Sequence, residues 1–494
     1  MSKFLLFKGF FFCYDNHRKG FPKRKETLMR ICEFSKEQVL LVREKIEQIL
    51  WRIGMRVEMA EVRDLCAAAG AEIRGDRVHF SPEVLNRLMA LAPKSYEIRS
   101  PYGRSWTIGD GSQHMAGIVM DPWINDPAGV RRPAMEDLLT NMALMEHYDE
   151  IVMVSRMDFP MTDYEGDISS YKALEQFFLN FNKHISAYCT SVESLQEYFE
   201  IGQTALGDQP LKDSKIMTVA VATLSPMALT DINCRLMLEA VKYNFPIIPT
   251  TCPMAGTTSP YTLIGTFMQG MAEVVGLCAI VQAVNPGNPY LMAYGPSVSS
   301  LLDGHDMYYT VEKPLWKLAA TEIAASYGMP YLIECGGNTP AGFDMQAGAE
   351  SMIQMFSAVA SGADVLAGVG SCYNANGLSA ENIVIGMSLK RQSDFMTRGI
   401  RLEQIDESIN SIEEQKDLGY FLMDDLTLEH MRSGEFFADN TLNMAGEFKE
   451  EPSMLERTQG IIRKVKKDYV NPVPAEAQEH IAEYFAKNIY PRFD

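Results

Sequence analysis

Four cysteines, Cys189, Cys252, Cys335 and Cys372, each fall at or just beyond the end of a short apolar run. Glu334 lies inside one such run, one residue before its end, and Tyr188, Tyr294, Tyr308, Tyr309, Tyr331, Phe343 and Tyr373 gather near the same segments. Clustered thiolates are soft ligands that suit zinc. The chain has no CxxC or HxC pair, however, and cysteine is often buried as a small hydrophobe, so no bound metal is expected. A carboxylate in an apolar strand must be paired, protonated or turned toward a cation, because burying a bare charge is costly. Glu334 therefore reads either as half of a structural ion pair or as the anionic wall of a site. Aromatic rings around a cavity bind quaternary ammonium groups through cation–π attraction. Combined with Glu334, the rings make a coherent site for a cationic ligand.

Further candidates sit in the polar and glycine-rich stretches that end the runs. They are Met254 in Thr251-Cys-Pro-Met-Ala-Gly256; Gly336, Gly337 and Asn338 after Glu334-Cys335; and Cys372 with Tyr373 in Gly370-Ser-Cys-Tyr-Asn374. Asp344 and Gln346 open the next helix, where one of them is expected to act as a cap instead of touching a ligand. His305, in Leu302-Asp-Gly-His-Asp306, reads equally as a donor to a substrate carboxylate and as a plain surface residue. His114 is expected in a loop beside a strand end or in the segment covering one. No GxGxxG, GxxxxGK[ST] or GxSxG signature is present.

The elements that must hold these residues follow from periodicity. Strand-length apolar runs begin at Ile151, His184, Ile216, Pro246, Tyr290, Tyr331 and Asp364, and helical patterns separate them. Buried strands alternating with amphipathic helices imply parallel pairing through crossovers, and eight such units close into a (β/α)8 TIM barrel. An eighth strand is placed at Asn382-Ile-Val-Ile-Gly386, with its helix at Met387 to Thr397. Barrel enzymes carry their chemistry at the C-terminal strand ends, which makes the stretches above the candidate site.

Before the barrel, Ser35-Lys-Glu-Gln38 has capping-box spacing and opens a helix, Ser81-Pro82 opens another, and short strands fall at Val78–Phe80, Tyr96–Arg99 and Ser105–Ile108. The expected organisation is a small α+β module over residues 29–130, a barrel over 131–417 and a helical extension over 418–494. Residues 1–28 hold seven Lys/Arg and two Asp/Glu, so the remaining residues carry -24 of the -19 total. That segment reads as disordered or as the product of an upstream start, with Met29 the true start.

At 494 residues and 47% hydrophobic content the chain can bury a large core. Its net charge of -19 argues against nucleic acid as a partner. No uninterrupted apolar run reaches the roughly 18 residues of a spanning helix, so no membrane partner is expected. Nine cysteines without paired spacing fit a reducing, cytoplasmic setting.

Several motifs, in order, resemble the trimethylamine methyltransferase family from about Met29 to the C-terminus. They are Ile53-Gly-Met-Arg-Val57, Ala69-Gly-Ala-Glu72, Arg132-Pro133, Pro253-Met-Ala-Gly-Thr-Thr258, Glu334-Cys-Gly-Gly337, Asp344-Met-Gln-Ala-Gly348 and Leu426-Thr-Leu-Glu-His430. The resemblance implies a barrel enzyme that moves a methyl group from a methylated amine to a corrinoid (cobalamin) carried by a cognate partner protein, with no tightly bound cofactor of its own. Archaeal trimethylamine enzymes carry pyrrolysine after the Gly-Gly turn, whereas Asn338-Thr-Pro-Ala-Gly-Phe343 holds only standard residues. The chain thus resembles the pyrrolysine-free branch, which acts on quaternary amines such as glycine betaine. On that resemblance Tyr294, Glu334, Asn338, Phe343, Asp344, Gln346, Tyr373 and His305 are expected around the amine. Gly336, Gly337, Met254 and Cys372 are expected toward the corrinoid, and no residue is expected to act covalently. A zinc-dependent methyltransferase and a non-catalytic betaine or corrinoid binder are the alternatives, and self-association is left open.

Overall fold

The computed structural model describes residues 11–13, 29–155, 161–417, 419–431, 433–442 and 451–493. The reading of residues 1–28 therefore lies outside the described residues, apart from Phe11–Cys13, which pairs antiparallel with Arg30–Cys32.

Eight parallel strands form the centre: His114–Ile118 (β1), Ile151–Ser155 (β2), His184–Ala187 (β3), Met217–Ala222 (β4), Ile247–Thr250 (β5), Met292–Ala293 (β6), Tyr331–Glu334 (β7) and Val365–Val369 (β8). The sheet runs β5-β4-β3-β2-β1-β8-β7-β6. It closes where Ile247 bridges Tyr290 in parallel, with Ile247 N donating to Pro289 O and Leu291 N to Ile247 O. The chain is a TIM barrel, as the alternation of runs predicts.

One strand differs from the sequence reading. Asn382-Ile-Val-Ile-Gly386 lies within the helix Ala380–Arg398, whose N-terminus is capped by the Ser379 side chain. A three-residue apolar run is ambiguous between strand and buried helix, and Ile383, Val384 and Met387 are buried on that helix at helical spacing. The missing strand is β1, inside the stretch assigned to the N-terminal module. Its His-Met-Ala-Gly-Ile sequence holds one β-branched residue, at its last position, and a glycine where a Cβ would meet the Met145 thioether, so no strand-length apolar run marks it. The strands numbered one to seven from the sequence are thus β2 to β8.

The antiparallel hairpin Tyr96–Arg99/Ser105–Ile108 plugs the N-terminal end of the barrel. Tyr96, Ile98 and Ile108 pack with Ala116, Met153, Ile248 and Leu332 in one apolar cluster. His184, at the start of β3, bonds Arg99 O and Thr218 Oγ1, and burial lowers its imidazole to about 4, which keeps it neutral. His114 bonds Thr107 O at the same end, so it lies in β1 and away from the strand C-termini.

The helix Leu263–Val284 is long and apolar enough to cross a membrane by length and composition, since the sequence pattern continues N-terminal of Ala272. It is mostly buried in the barrel wall and cradled by N-terminal elements; Leu50 and Met55 press against Gly276. Its Glu273 carboxylate accepts from Ser225 Oγ (2.6 Å), Met227 N (2.9 Å) and Gln269 Nε2 (3.1 Å). A buried acid satisfied in this way belongs to a protein core.

Candidate active site

A cavity of about 220 Å³ opens at the C-terminal ends of the strands. Its sides are apolar where Met153, Ile248 and Leu332 face it, and aromatic where Tyr188, Tyr294 and Tyr308 do. Ligand sites usually measure about 300–1,000 Å³, so this one suits a small molecule. Tyr294 is fixed by donating its hydroxyl to Thr266 O (3.1 Å) and by an edge-to-face contact with Phe267.

Glu334, the last residue of β7, points its carboxylate at this cavity and is held from behind. Tyr308 donates to Oε1 at 2.6 Å, while Lys313 Nζ and Lys317 Nζ lie 3.0 and 3.3 Å from Oε2. Lys317 also donates to the Glu334 carbonyl (3.0 Å) and to Gln354 Oε1 (3.2 Å). Lys313 sits over the Tyr308 ring. Both lysine side chains are fully buried.

Burial by itself would raise the Glu334 carboxyl, but the two ammonium groups and the Tyr308 hydroxyl outweigh it and hold the acid well below the usual carboxylate range. Burial pulls Lys313 down to about 7 against the opposing pull of Glu334, and it lowers Lys317 as well. The trio carries +1 when both lysines are protonated and zero when Lys313 is neutral. Glu334 is therefore the paired carboxylate of the two sequence readings, with a face still turned to the cavity.

Neither lysine was singled out from the sequence. They lie at i and i+4 in the helix Glu312–Ser326, on the stripe continued by the fully buried Ala320 and Ala324. That stripe was the available signal: a lysine in line with core alanines must reach a counter-charge.

The remaining candidates are placed as follows. Gly336 and Gly337 pack the post-β7 turn: a Cβ at Gly336 would strike Gly368 O, and one at Gly337 (φ 121°) would strike the Tyr309 ring. Asn338 is buried, donates to Ser351 Oγ (3.2 Å) and leaves its Oδ1 without a partner. Its carbonyl accepts from Asn374 N (3.0 Å). Asn374 also accepts from Tyr308 N (2.8 Å) and donates to Asp306 O (2.6 Å), tying together the loops after β6, β7 and β8. Tyr373, half-buried in the left-handed region at φ 50°, shares that loop. Asp344 caps the helix Met345–Ser361 through Ala347 N (2.9 Å), and Gln346 donates to Glu350 on the exposed helix surface. Phe343 is half-buried beside that cap. His305 is exposed and bonds Asp303 Oδ1 at 2.6 Å in a hairpin loop. Met254 is half-buried and pairs with Ser297. Of the twelve candidates, Tyr294 and Glu334 line the cavity.

The strand-end cysteines do not converge on the cavity together. Cys252 lines it and is exposed there, its thiol pushed up by the protein packed around it and by the Glu334 charge. Cys335 and Cys372 are buried, and burial raises each to about 12. Among the described residues no three His, Cys, Asp or Glu side chains are grouped to hold a metal ion. Thiols at such values are poor nucleophiles at neutral pH.

Comparison with known proteins adds the following. A family model described as trimethylamine methyltransferase (MTTB) matches residues 15–489. The glycine betaine methyltransferase of Desulfitobacterium hafniense (strain Y51) is 23% identical over 471 residues, covering 91% of this chain and 96% of that one. The proline betaine:corrinoid methyltransferase of Eubacterium limosum is 22% identical, covering 78% and 82%. The trimethylamine methyltransferase MttB of Methanosarcina barkeri (strain Fusaro / DSM 804) is 23% identical, covering 77% and 79%. Among solved structures, the Methanosarcina barkeri monomethylamine methyltransferase (MtmB) aligns at 11% identity and a TM-score of 0.45, covering 88% and 93%.

Proposed function

From the premise that this chain belongs to the trimethylamine methyltransferase family, we propose that it moves a methyl group from a quaternary amine of the betaine type to a cobalt(I) corrinoid on a partner protein. The observation that carries this reading is the small cavity walled by Tyr188, Tyr294 and Tyr308, with the Glu334 carboxylate held ionised at its edge. Aromatic rings and the open face of an ionised carboxylate suit a compact permanent cation. Relatives named for glycine betaine and proline betaine support the same class.

The chemistry needs little more from the protein. As the methyl–nitrogen bond breaks, its electron pair stays on nitrogen and a neutral tertiary amine leaves. The corrinoid supplies the two-electron nucleophile that receives the methyl group. Unprotonated trimethylamine, by contrast, would have to expel an amide-like dimethylamide anion, and the loop Asn338 to Phe343 holds no reactive group to activate it. The enzyme's part is to hold one N-methyl toward the mouth and to exclude water with Met153, Ile248 and Leu332. A corrin ring would not fit within about 220 Å³, so the methyl group would have to be presented at the mouth to a corrinoid kept on its carrier.

The test is incubation with Co(I) cobalamin and a panel of methylated amines, following loss of the Co(I) absorbance. Glycine betaine or a related N-trimethyl amino acid should react and trimethylamine should not. A faster rate with trimethylamine would overturn this reading of the loop, and tight binding of a betaine with no turnover toward any corrinoid would point to a non-catalytic binder.

A further inference from the structure

Two serines line the cavity on the side away from Glu334. Around the closed sheet β3 lies four strands from β7 in either direction, so Ser186 on β3 faces Glu334 on β7 across the barrel. Ser155, the last residue of β2, is the register partner of Ser186. Register partners on neighbouring strands share one face and sit about 4.8 Å apart, and both of these serines turn inward.

Each serine is 4% exposed, yet neither hydroxyl has a strong acceptor. Ser155 Oγ donates to Gly117 O across 3.4 Å, longer than the roughly 2.5–3.0 Å of an ordinary hydroxyl bond. Ser186 is hydrogen-bonded by the side chain of Tyr188, which lines the same cavity. Burial raises the Tyr188 phenol to about 12, so it stays protonated and donates to Ser186, leaving the serine proton free to point inward. Other buried hydroxyls of the barrel differ. Thr251 pairs with Thr223, and Thr218 with His184, each at 2.8 Å. A buried donor without a good partner costs free energy that an acceptor on a ligand recovers.

The cavity is therefore polarised. Tyrosine rings and an ionised carboxylate form one wall, and uncharged donors form the opposite one. A small molecule with a positive and a negative end fits in one orientation, cation toward Glu334 and anion away from it. Turned round, it would set two carboxylates against each other.

Building on the quaternary-amine reading, we propose that Ser155 and Ser186 hold the carboxylate of the substrate, one hydroxyl to each oxygen, and so select fully N-methylated amino acids over quaternary amines without an acid group. Hydroxyl donation to a carboxylate is charge-assisted and short. With that end fixed on β2 and β3, the ammonium is held at the Tyr294 and Tyr308 wall.

Titration calorimetry on the full chain with glycine betaine and with tetramethylammonium tests this, because the second ligand keeps the cation and lacks the carboxylate. The unaltered protein should bind glycine betaine more tightly. Ser155→Ala and Ser186→Ala should each weaken glycine betaine roughly tenfold or more, the value of one charge-assisted hydrogen bond, and leave tetramethylammonium unchanged. The unchanged affinity for tetramethylammonium also shows that the variants are folded. Equal affinity of the unaltered protein for both ligands would overturn the proposal. So would variants that keep their affinity for glycine betaine, or that lose both ligands in parallel. An unaltered protein that binds neither ligand would sink the quaternary-amine reading itself, and this proposal with it.

Discussion

Replacing Glu334 by Gln tests the central arrangement of the site most directly. The substitution keeps the shape but leaves the Lys313 and Lys317 ammonium groups, 3.0 and 3.3 Å away, without a counter-charge in a fully buried setting. Breaking a buried pair by removing one partner costs about 3–5 kcal/mol. At about 2.1 cal/mol/K of unfolding entropy per residue, 494 residues give roughly 1 kcal/mol per degree, so the melting temperature should fall by about 3–5 °C. The pH dependence identifies the cause. A lysine whose folded-state value is depressed binds fewer protons folded than unfolded between that value and about 10.5, and across that window stability rises with pH. Without Glu334 the lysine values drop further, so the window opens lower and the deficit of the variant should shrink as pH rises toward about 7, where Lys313 of the unaltered protein also loses its proton. Melting curves by differential scanning fluorimetry over that range, alongside calorimetric titration of a quaternary amine, supply both readouts. If the variant melts like the unaltered protein at every pH and loses only amine affinity, the carboxylate serves the ligand and the lysines do not depend on it.

Three further outcomes follow from the same geometry. Tyr294→Ala should weaken binding of a quaternary amine by about 1–2 kcal/mol, the value of a desolvated cation–π contact, as read by titration calorimetry; unchanged affinity would remove that ring from the cradle. Affinity for a permanent cation should rise as pH passes upward through about 7, because Lys313 loses its proton and the trio goes from +1 to zero; titrations at pH 6 and 8 giving equal affinity would contradict that charge state. Elemental analysis of the purified protein should find no stoichiometric zinc, and one equivalent lost together with activity on chelation would favour the cysteine-based alternative.

The barrel was legible because its strands are buried on both faces and read as unbroken apolar runs punctuated by glycine and proline. β1 was not, because it draws its burial from position and not from composition: His114, Ala116 and Gly117 carry no strand signature. In the site, Tyr294 and Glu334 could be placed from strand ends alone. The lysines could not be paired with Glu334 without the fold, since the contacts join a helix to a strand 17 to 21 positions away and only the barrel sets their distance. Asp344 and Gln346 read correctly as the opening of a helix, and the capping of Asp344 is local enough to be written in the sequence. His114 was drawn to the wrong end of the barrel by the same missing strand.

The smallness of the cavity has a kinetic consequence. Its mouth lies at the strand C-termini, and on the proposed function a carrier that brings cobalt to an amine held there would rest across that mouth. The amine then has to enter before the carrier arrives, and the demethylated product cannot leave until the carrier departs. Turnover becomes a compulsory sequence in which the acceptor doubles as a door, so excess carrier slows the reaction by closing empty enzyme molecules.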